Sequence, residues 1–355
     1  MRLFDGASAP IRAHCRNLWL ERLRLPLSVR HLSGPRRISC SPDQAIVLCL
    51  VKDARLHIGP FIAHYQRLGV AGIVLLDTGS SDDTVAQAAR HPGVSVFRTS
   101  VPFRNNNRQM RRYLLRRFGG HNRWMLVVDV DELFDFPSSD RISFGDLLRY
   151  LRRHRYTTMV CHQLDMFPEQ SLASVSRDLP MQQVCPLYDI SAVRKRGYFE
   201  ADGYSGERFV AHNTLANPAI PRQVGGIRAS AFGLSEVYLI KHPLLLCDGA
   251  TKLVHQHFVD YATVADISGV LYHYKFLADF RAKVDAAVRS GNYANGSWEY
   301  RHYQRALDLD PNMSLRTPNA QRLRSVDELV EQGFLQITDQ YTTWVESETC
   351  AGSNS

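Results

Sequence analysis

Short apolar runs alternate with amphipathic helical segments through the first half of this 355-residue sequence. Four runs have the length and composition of strands buried on both faces: AIVLCLVK (45–52), GIVLLD (72–77), VSVFRT (94–99) and WMLVVDVDE (124–132). Between the first two runs, apolar residues recur every three or four positions from Ile58 to Leu68, which is typical of a helix. This order predicts an α/β fold with a mixed, mainly parallel sheet flanked by helices.

Two further strand-like runs and a helical region follow. Residues 156–167 (YTTMVCHQLDMF) and 237–246 (VYLIKHPLLL) have strand composition, and the pattern from 269 to 303 is helical and includes LADFRAKVDAAV. We divide the chain into a basic N-terminal extension (1–40), an α/β domain (41–265), a helical C-terminal extension (266–345) and a disordered tail (346–355).

Positive charge is concentrated at the N-terminus. The formal net charge is +8, and residues 1–40 contribute +6 through eight arginines against Asp5 and Glu21. Leucines between these arginines give the segment an apolar component. Two interpretations follow: the segment lies on an anionic membrane surface, or it is a solvated leader whose leucines pack on the main domain.

The absence of several patterns narrows the class of protein. The seven cysteines include no CxxC pair, which favours reduced thiols over a disulfide framework or a zinc cluster. No apolar run approaches the ~20 residues of a membrane span, and the N-terminus lacks the apolar core of a signal peptide. Neither a dinucleotide-binding GxGxxG after the first strand nor a P-loop occurs. We expect a cytoplasmic protein, with peripheral contact to the inner face of the membrane as an option.

Carboxylates are concentrated where the fourth strand run ends, in the sequence RWMLVVDVDELFDFP. In an extended strand Asp129 and Asp131 project to the same face, so they repel one another unless a cation lies between or beyond them. Asp77 ends the second run, and parallel strands place both ends at one edge, where ligands of such sheets bind. A hard divalent ion, Mg²⁺ or Mn²⁺, suits these oxygen ligands. The alternative is a solvated strand end.

Several segments of the chain, taken in order, resemble bacterial family 2-like glycosyltransferases, which have the GT-A fold. In the first half these segments are VKDARLHIGPFIAHYQRLGVAGIVLLDTGSSDDT, NNRQMRR and WMLVVDVDEL; in the second half they are VGGIRASAFG, KHPLLL, HQHF and LYHYKFLADFRAKV. The resemblance covers about residues 45–303. It departs from the usual family pattern at two places, where Asp53-Ala54 replaces Asn-Glu and Asp77-Thr78 replaces Asp-Asn.

The resemblance implies a nucleoside-diphosphate sugar as donor and a divalent metal ion as cofactor. Asp77, with Asp53 or Lys52, would border the base and ribose. Asp129 and Asp131 would hold the metal, which bridges the diphosphate and stabilises charge on the leaving group. Glu132 would bind the ion through water or cap the next turn.

The resemblance also suggests histidine ligands and a catalytic base. Enzymes of this fold often take a further metal ligand from a C-terminal histidine; His257 and His273 are the candidates, with His255 behind them. An inverting reaction needs a carboxylate that activates the acceptor hydroxyl. Asp202 is the first choice, and Glu200 and Asp189 are alternates.

An arginine-rich helix completes the list of candidates. Its arginines are Arg108, Arg111, Arg112, Arg116 and Arg117. A solvated face is the usual role of such a run, and one or two of these side chains would contact the diphosphate or an anionic acceptor.

Three rival functions were weighed against sugar transfer to a glycan or lipid-linked acceptor. A haloacid dehalogenase-type phosphohydrolase also uses DxD. Its pattern has threonine or valine two residues after the second aspartate, where this chain has Leu133. A nucleic-acid-binding protein fits the charge, although no binding module is recognisable and we expect no nucleic-acid partner. A catalytically degenerate transferase acting as a scaffold is the third, and the intact acidic cluster argues against it.

Overall fold

The computed structural model describes residues 24–104, 106–201, 203, 206–291 and 294–352. Asp202 and most of the predicted N-terminal extension therefore lie outside the described residues. None of the helices in these ranges combines the length and the hydropathy that a bilayer crossing requires.

Sixteen strands are found in the described ranges. They are β1 (Arg30–Ser33), β2 (Ala45–Val51), β3 (Gly72–Asp77), β4 (Val94–Arg98), β5 (Trp124–Asp129), β6 (Glu132–Asp135), β7 (Thr158–Asp165), β8 (Leu187–Tyr188), β9 (Val193–Arg196), β10 (Thr214–Leu215), β11 (Arg222–Gly225), β12 (Ile240–Leu246), β13 (Lys252–Leu253), β14 (Val259–Asp260), β15 (Thr263–His273) and β16 (Gln321–Arg322).

Residues 24–28 are helical, and ten further α-helices lie in the same ranges. They are α1 (Ile58–Arg67), α2 (Thr84–Ala88), α3 (Asn107–Phe118), α4 (Phe144–Arg153), α5 (Met181–Val184), α6 (Ile227–Phe232), α7 (Phe280–Ser290), α8 (Ala294–Leu309), α9 (Asp327–Glu331) and α10 (Asp339–Gly352). Short 3₁₀ turns occur at Leu172–Ser174 and Gly206–Phe209.

One large sheet organises the fold. Its strand order is β1-β4-β3-β2-β5-β12-β7-β15-β10, and β6 pairs with β15. The ladders β4-β3-β2-β5 and β7-β15-β10 are parallel, whereas β1, β6 and the central β12 run antiparallel to their neighbours. The predicted α/β fold with a mixed, mainly parallel sheet flanked by helices is thus confirmed.

Both faces of the sheet are buried, which explains why its central strands are continuous apolar runs. Along β2, Val47 and Cys49 pack into the core on the side of α1 and α4. Ile46 and Leu48, which alternate with them, pack on the other side with α3. The C-terminal helices α9 and α10 add their apolar side chains to the first of these cores.

Three local predictions are wrong. The strand run 124–132 is not continuous, because β5 ends at Asp129, residues 130–131 form a turn, and β6 leaves to pair with β15. The boundary at 265/266 and the helical pattern from 269 both fall inside β15, which belongs to the main sheet; the helix α7 begins at Phe280. Residues 346–352 of the predicted disordered tail are the end of α10.

Candidate active site

Polar residues from four strands meet at one edge of the sheet. Asp129, Asp165 and His273 end the strands β5, β7 and β15, and Lys241 lies near the beginning of the antiparallel β12. The register of β15 pairs His273 with Asp165 on one side and with Glu132 on the other. This edge therefore collects acidic and basic side chains that are far apart in the sequence.

Asp129 is held by two cations of the protein itself. Arg111 Nη2 of α3 donates to one carboxylate oxygen at 2.5 Å, and Lys241 Nζ donates to the other at 2.7 Å. Both cations are buried, while the Asp129 side chain stays 37% exposed. Burial opposes ionisation of Asp129, but Lys241 and Arg111 hold its pKa well below the usual value. Asp129 is thus a charge-compensated carboxylate with an accessible face.

Glu132 stabilises the turn beneath this aspartate. Its fully buried carboxylate accepts the Asp129 backbone N–H at 2.8 Å, both oxygens contact Lys241 Nζ at 2.7–2.8 Å, and Gln163 Nε2 donates at 2.6 Å. Of the two roles considered for Glu132, these contacts match the cap of the turn.

Asp131 faces a different partner from Asp129 because of the turn between them. Its Oδ2 lies 3.4 Å from His273 Nε2, and the other ring nitrogen, Nδ1, lies 2.5 Å from Asp165 Oδ1. Burial alone would lower the pKa of His273, but Asp131 and Asp165 raise it to about 9. In return, although burial works against ionisation, His273 holds the pKa of Asp131 well below its usual value. The two aspartates are therefore not side by side with a shared partner, as an extended strand would have placed them.

The fit of these residues to a divalent ion can be judged from the donors present. Of the four predicted ligands, Asp131 and His273 are in contact, whereas both oxygens of Asp129 are engaged by cations. His257 donates through Nδ1 to the Ile240 carbonyl at 3.0 Å, and within the described ranges no ion pair links it to either aspartate.

Among the described residues, no group of three His, Cys, Asp or Glu side chains is arranged to bind a metal. Mg²⁺ and related ions commonly use one or two protein ligands and complete their shell with substrate phosphates and water. Asp131 and His273 would be the protein ligands of such a site, with His273 deprotonated at Nε2 when the ion binds.

The residues predicted to border the nucleoside differ in accessibility. Asp77 is fully buried, where it accepts from Arg98 Nε at 2.6 Å and from the backbone N–H groups of Gly79 and Ser80. Asp53 has a left-handed backbone (φ 47°) and accepts the Ser81 N–H at 2.7 Å.

Lys52 is exposed. Asp77 thus organises the loop after β3 from inside, and Asp53 and Lys52 are the accessible members of the predicted set.

The candidates for the catalytic base are not joined to this edge by any contact in the described part of the chain. Glu200 is exposed, and its carboxylate accepts the Gly197 N–H at 2.8 Å. Asp189 is buried and accepts from Ser191 N–H and the Thr317 hydroxyl. Asp202 lies outside the described residues, so the structure does not place the first choice.

The described residues also enclose a cavity of about 350 Å³, whose lining includes none of the residues of the acidic edge. Its charged lining residues are Asp53, Arg55, Asp82, Arg177, Asp279 and Lys283. The buried His57 joins the cavity to the edge: its Nδ1 lies 3.5 Å from Lys283 Nζ, and its Nε2 contacts the carbonyl of Tyr274, whose N–H donates to the Asp131 carbonyl. Hydrogen bonds through a buried residue thus link Lys283, which lines the cavity, to the backbone of Asp131.

Sequence reasoning missed the buried partners of the aspartates. The sequence does not distinguish Arg111 from the other four arginines of its helix. Lys241, Gln163, Asp165 and Arg228 are not among the predicted site residues. A usable signal existed for Asp165, because it ends a predicted strand in the same way as Asp77 and Asp129. No comparable signal marks Lys241, since a single lysine in an apolar run does not reveal which strand it faces.

No protein-family model matches this sequence, and no curated protein matches it. Several solved structures are distantly similar, and two of them are TarS and HddC. TarS 1–349 of S. aureus, a teichoic acid glycosyltransferase, is 14% identical over 36% of this chain and 40% of that chain, with a TM-score of 0.28. HddC of Yersinia pseudotuberculosis, a sugar nucleotidyltransferase, is 8% identical over 68% of this chain and 97% of that chain, with a TM-score of 0.31. Both scores are too low to support an argument about the site or its substrate.

Proposed function

We propose that this protein is a metal-dependent glycosyltransferase that moves a sugar from a nucleoside-diphosphate sugar to a glycan or lipid-linked acceptor. The observation that carries the proposal is the partly exposed Asp129–Asp131 edge, with His273 in contact with Asp131. A cavity of about 350 Å³ is linked to this edge by the hydrogen bonds of His57. An inverting reaction with Asp202 or Glu200 as base belongs to the same proposal, as does membrane contact through residues 1–40.

In this proposal Asp131 and His273 hold a divalent ion, Mn²⁺ or Mg²⁺. Such an ion supplies Lewis-acid stabilisation of the charge that develops on the departing nucleoside diphosphate. Asp129, whose charge is compensated by Arg111 and Lys241, presents a hydrogen-bond acceptor without adding full negative charge beside the phosphates. It is therefore suited to bind a hydroxyl of the donor.

The cavity is the proposed site of the nucleoside half of the donor. Arg55 and Arg177 line it, and no ion pair of the Arg177 side chain is found in the described ranges, so its donors are available to phosphate oxygens. The accessible carboxylate of Asp53 lies in the same lining and suits a ribose hydroxyl.

We expect Arg177→Ala to weaken binding of the nucleoside diphosphate about tenfold, because one charge-assisted hydrogen bond to phosphate is lost. The measurement is calorimetric titration with UDP, GDP, CDP and dTDP in the presence of Mn²⁺. Arg141→Ala is the matched control, since Arg141 is equally exposed and follows β6, away from the cavity. Equal affinities of the two variants for the nucleoside diphosphate would contradict the assignment of this cavity as its binding site.

A further inference from the structure

The two aspartates of the acidic edge are joined beneath the surface by one chain of buried polar contacts. From Asp131 it passes through His273 (3.4 Å) and Asp165 (2.5 Å) to Arg228, whose Nε donates to Asp165 Oδ2 at 2.7 Å. From Arg228 Nη2 it continues at 3.5 Å to the amide oxygen of Gln163. Gln163 contacts Glu132, and Lys241 then connects Glu132 to Asp129. The chain therefore ties both aspartates to β7, where Gln163 and Asp165 share one face.

We propose that Asp165 is the positioning residue of this site, fixing the His273 imidazole so that Nε2 faces Asp131. The inference rests on the metal site of the proposed function. Asp165 itself is 5% exposed and lies behind His273, so it acts through the imidazole and does not contact the ion.

An imidazole has two nitrogens and two ring orientations, and its second hydrogen bond decides which nitrogen is presented to a ligand. In this structure Asp165 Oδ1 accepts a hydrogen bond from Nδ1 of His273, so Nε2 is the nitrogen that faces Asp131. The two residues are also direct partners in the parallel β7–β15 ladder, so backbone pairing and side-chain pairing agree.

Asp165 is itself anchored. Arg228, which is 4% exposed, occupies its second oxygen and lies 3.7 Å from Glu299, and Glu299 in turn binds Lys275 at 2.8 Å. Arg228 is placed by the turn Gly225–Gly226, where both residues have positive φ (91° and 66°) and a Cβ on Gly225 would lie 2.9 Å from the Ala192 carbonyl oxygen. Both carboxylate oxygens of Asp165 are thus engaged, one by His273 and the other by Arg228.

The test uses Asp165→Asn. An asparagine side chain has one acceptor oxygen where Asp165 uses two. Either Arg228 loses its acceptor, or the amide NH2 faces His273, whose Nδ1 can then no longer donate. Two measurements are made on the full chain: the Nδ1 and Nε2 signals of His273 by ¹H–¹⁵N NMR without metal, and the Kd for Mn²⁺ by EPR. We expect the Nδ1 proton signal to shift or disappear and Mn²⁺ to bind about 10–100-fold more weakly.

Two controls separate the possible failures. Asp266→Asn changes a different buried carboxylate, which lies on β15 and accepts from Tyr150 and Thr338. This variant should leave both readings unchanged. If Asp165→Asn does not fold, Arg228→Lys removes the Nε contact while keeping a cation, and it should shift the same His273 signals.

Unchanged His273 signals and unchanged Mn²⁺ affinity in the Asp165 or Arg228 variant would overturn the positioning role. If the wild-type protein binds no Mn²⁺, the proposed metal site fails and the positioning role for that site fails with it, even where the NMR signals still report the Asp165–His273 contact.

Discussion

Replacing Lys241 by methionine is expected to lower the free energy of unfolding by about 3–5 kcal/mol, because it leaves a buried carboxylate without its cation. The Lys241 side chain is 2% exposed, and its ammonium group contacts Asp129 and both oxygens of Glu132. Without it, Glu132 keeps only the Gln163 amide and one backbone N–H as partners in a fully buried position. Urea unfolding followed by circular dichroism measures the loss.

Two companion variants show whether uncompensated charge is the cause. Lys252→Met removes an exposed lysine whose Nζ lies 4.3 Å from the Tyr261 ring centre, and about 1 kcal/mol or less is expected. Adding Glu132→Gln to Lys241→Met should recover part of the stability, because the buried group is then neutral. If Lys241→Met unfolded at the same urea concentration as the wild type, the contacts of Lys241 with Asp129 and Glu132 would not contribute to the stability of the fold.

The Asp131→Asn variant is expected to lose sugar transfer by about 100-fold or more, the scale of removing transition-state charge stabilisation. The substitution keeps the shape of the side chain but removes the negative charge that faces His273. The measurement is release of nucleoside diphosphate from each sugar nucleotide, with Mn²⁺ present.

Asp140→Asn is the matched control for this variant. Asp140 is exposed in the segment after β6, and the same substitution there should leave the rate unchanged. The urea midpoints of both variants are compared with that of the wild type, so that a rate lost through unfolding is recognised. A folded Asp131→Asn protein with full activity would exclude a catalytic metal at this residue.

The sheet could be predicted because burial on both faces leaves a direct pattern in the sequence. Strand β2 is apolar at every one of its seven positions, and β3 and β5 end in the aspartates that the pattern singled out. The carboxyl ends of these parallel strands lie at one edge, as expected from their order. Strand β15 was missed in part because Gly269 and the residues after it were read as the start of a helical pattern.

The partners of the aspartates could not be predicted, because they depend on which strands are neighbours. The acidic cluster predicts a divalent ion as its source of positive charge, whereas Asp129 is paired with Arg111 and Lys241 of the chain itself. Lys241 is 112 positions from Asp129 and becomes adjacent only when β12 is inserted antiparallel between β5 and β7. Asp165 reaches His273 across 108 positions through the β7–β15 register. A single sequence contains the periodicity of each strand but not the register between strands. The basic side chains that pair with the aspartates therefore could not be predicted.

We propose that this edge binds a sugar nucleotide through a divalent ion. Calorimetric titration of the wild-type protein with UDP, GDP, CDP and dTDP, each with and without Mn²⁺, tests it most directly, and Asp131→Asn is titrated alongside. We expect one nucleotide to bind only when Mn²⁺ is present, and we expect this binding to be lost in the variant. No binding of any nucleotide to the wild type under either condition would contradict the account and favour a catalytically inactive scaffold.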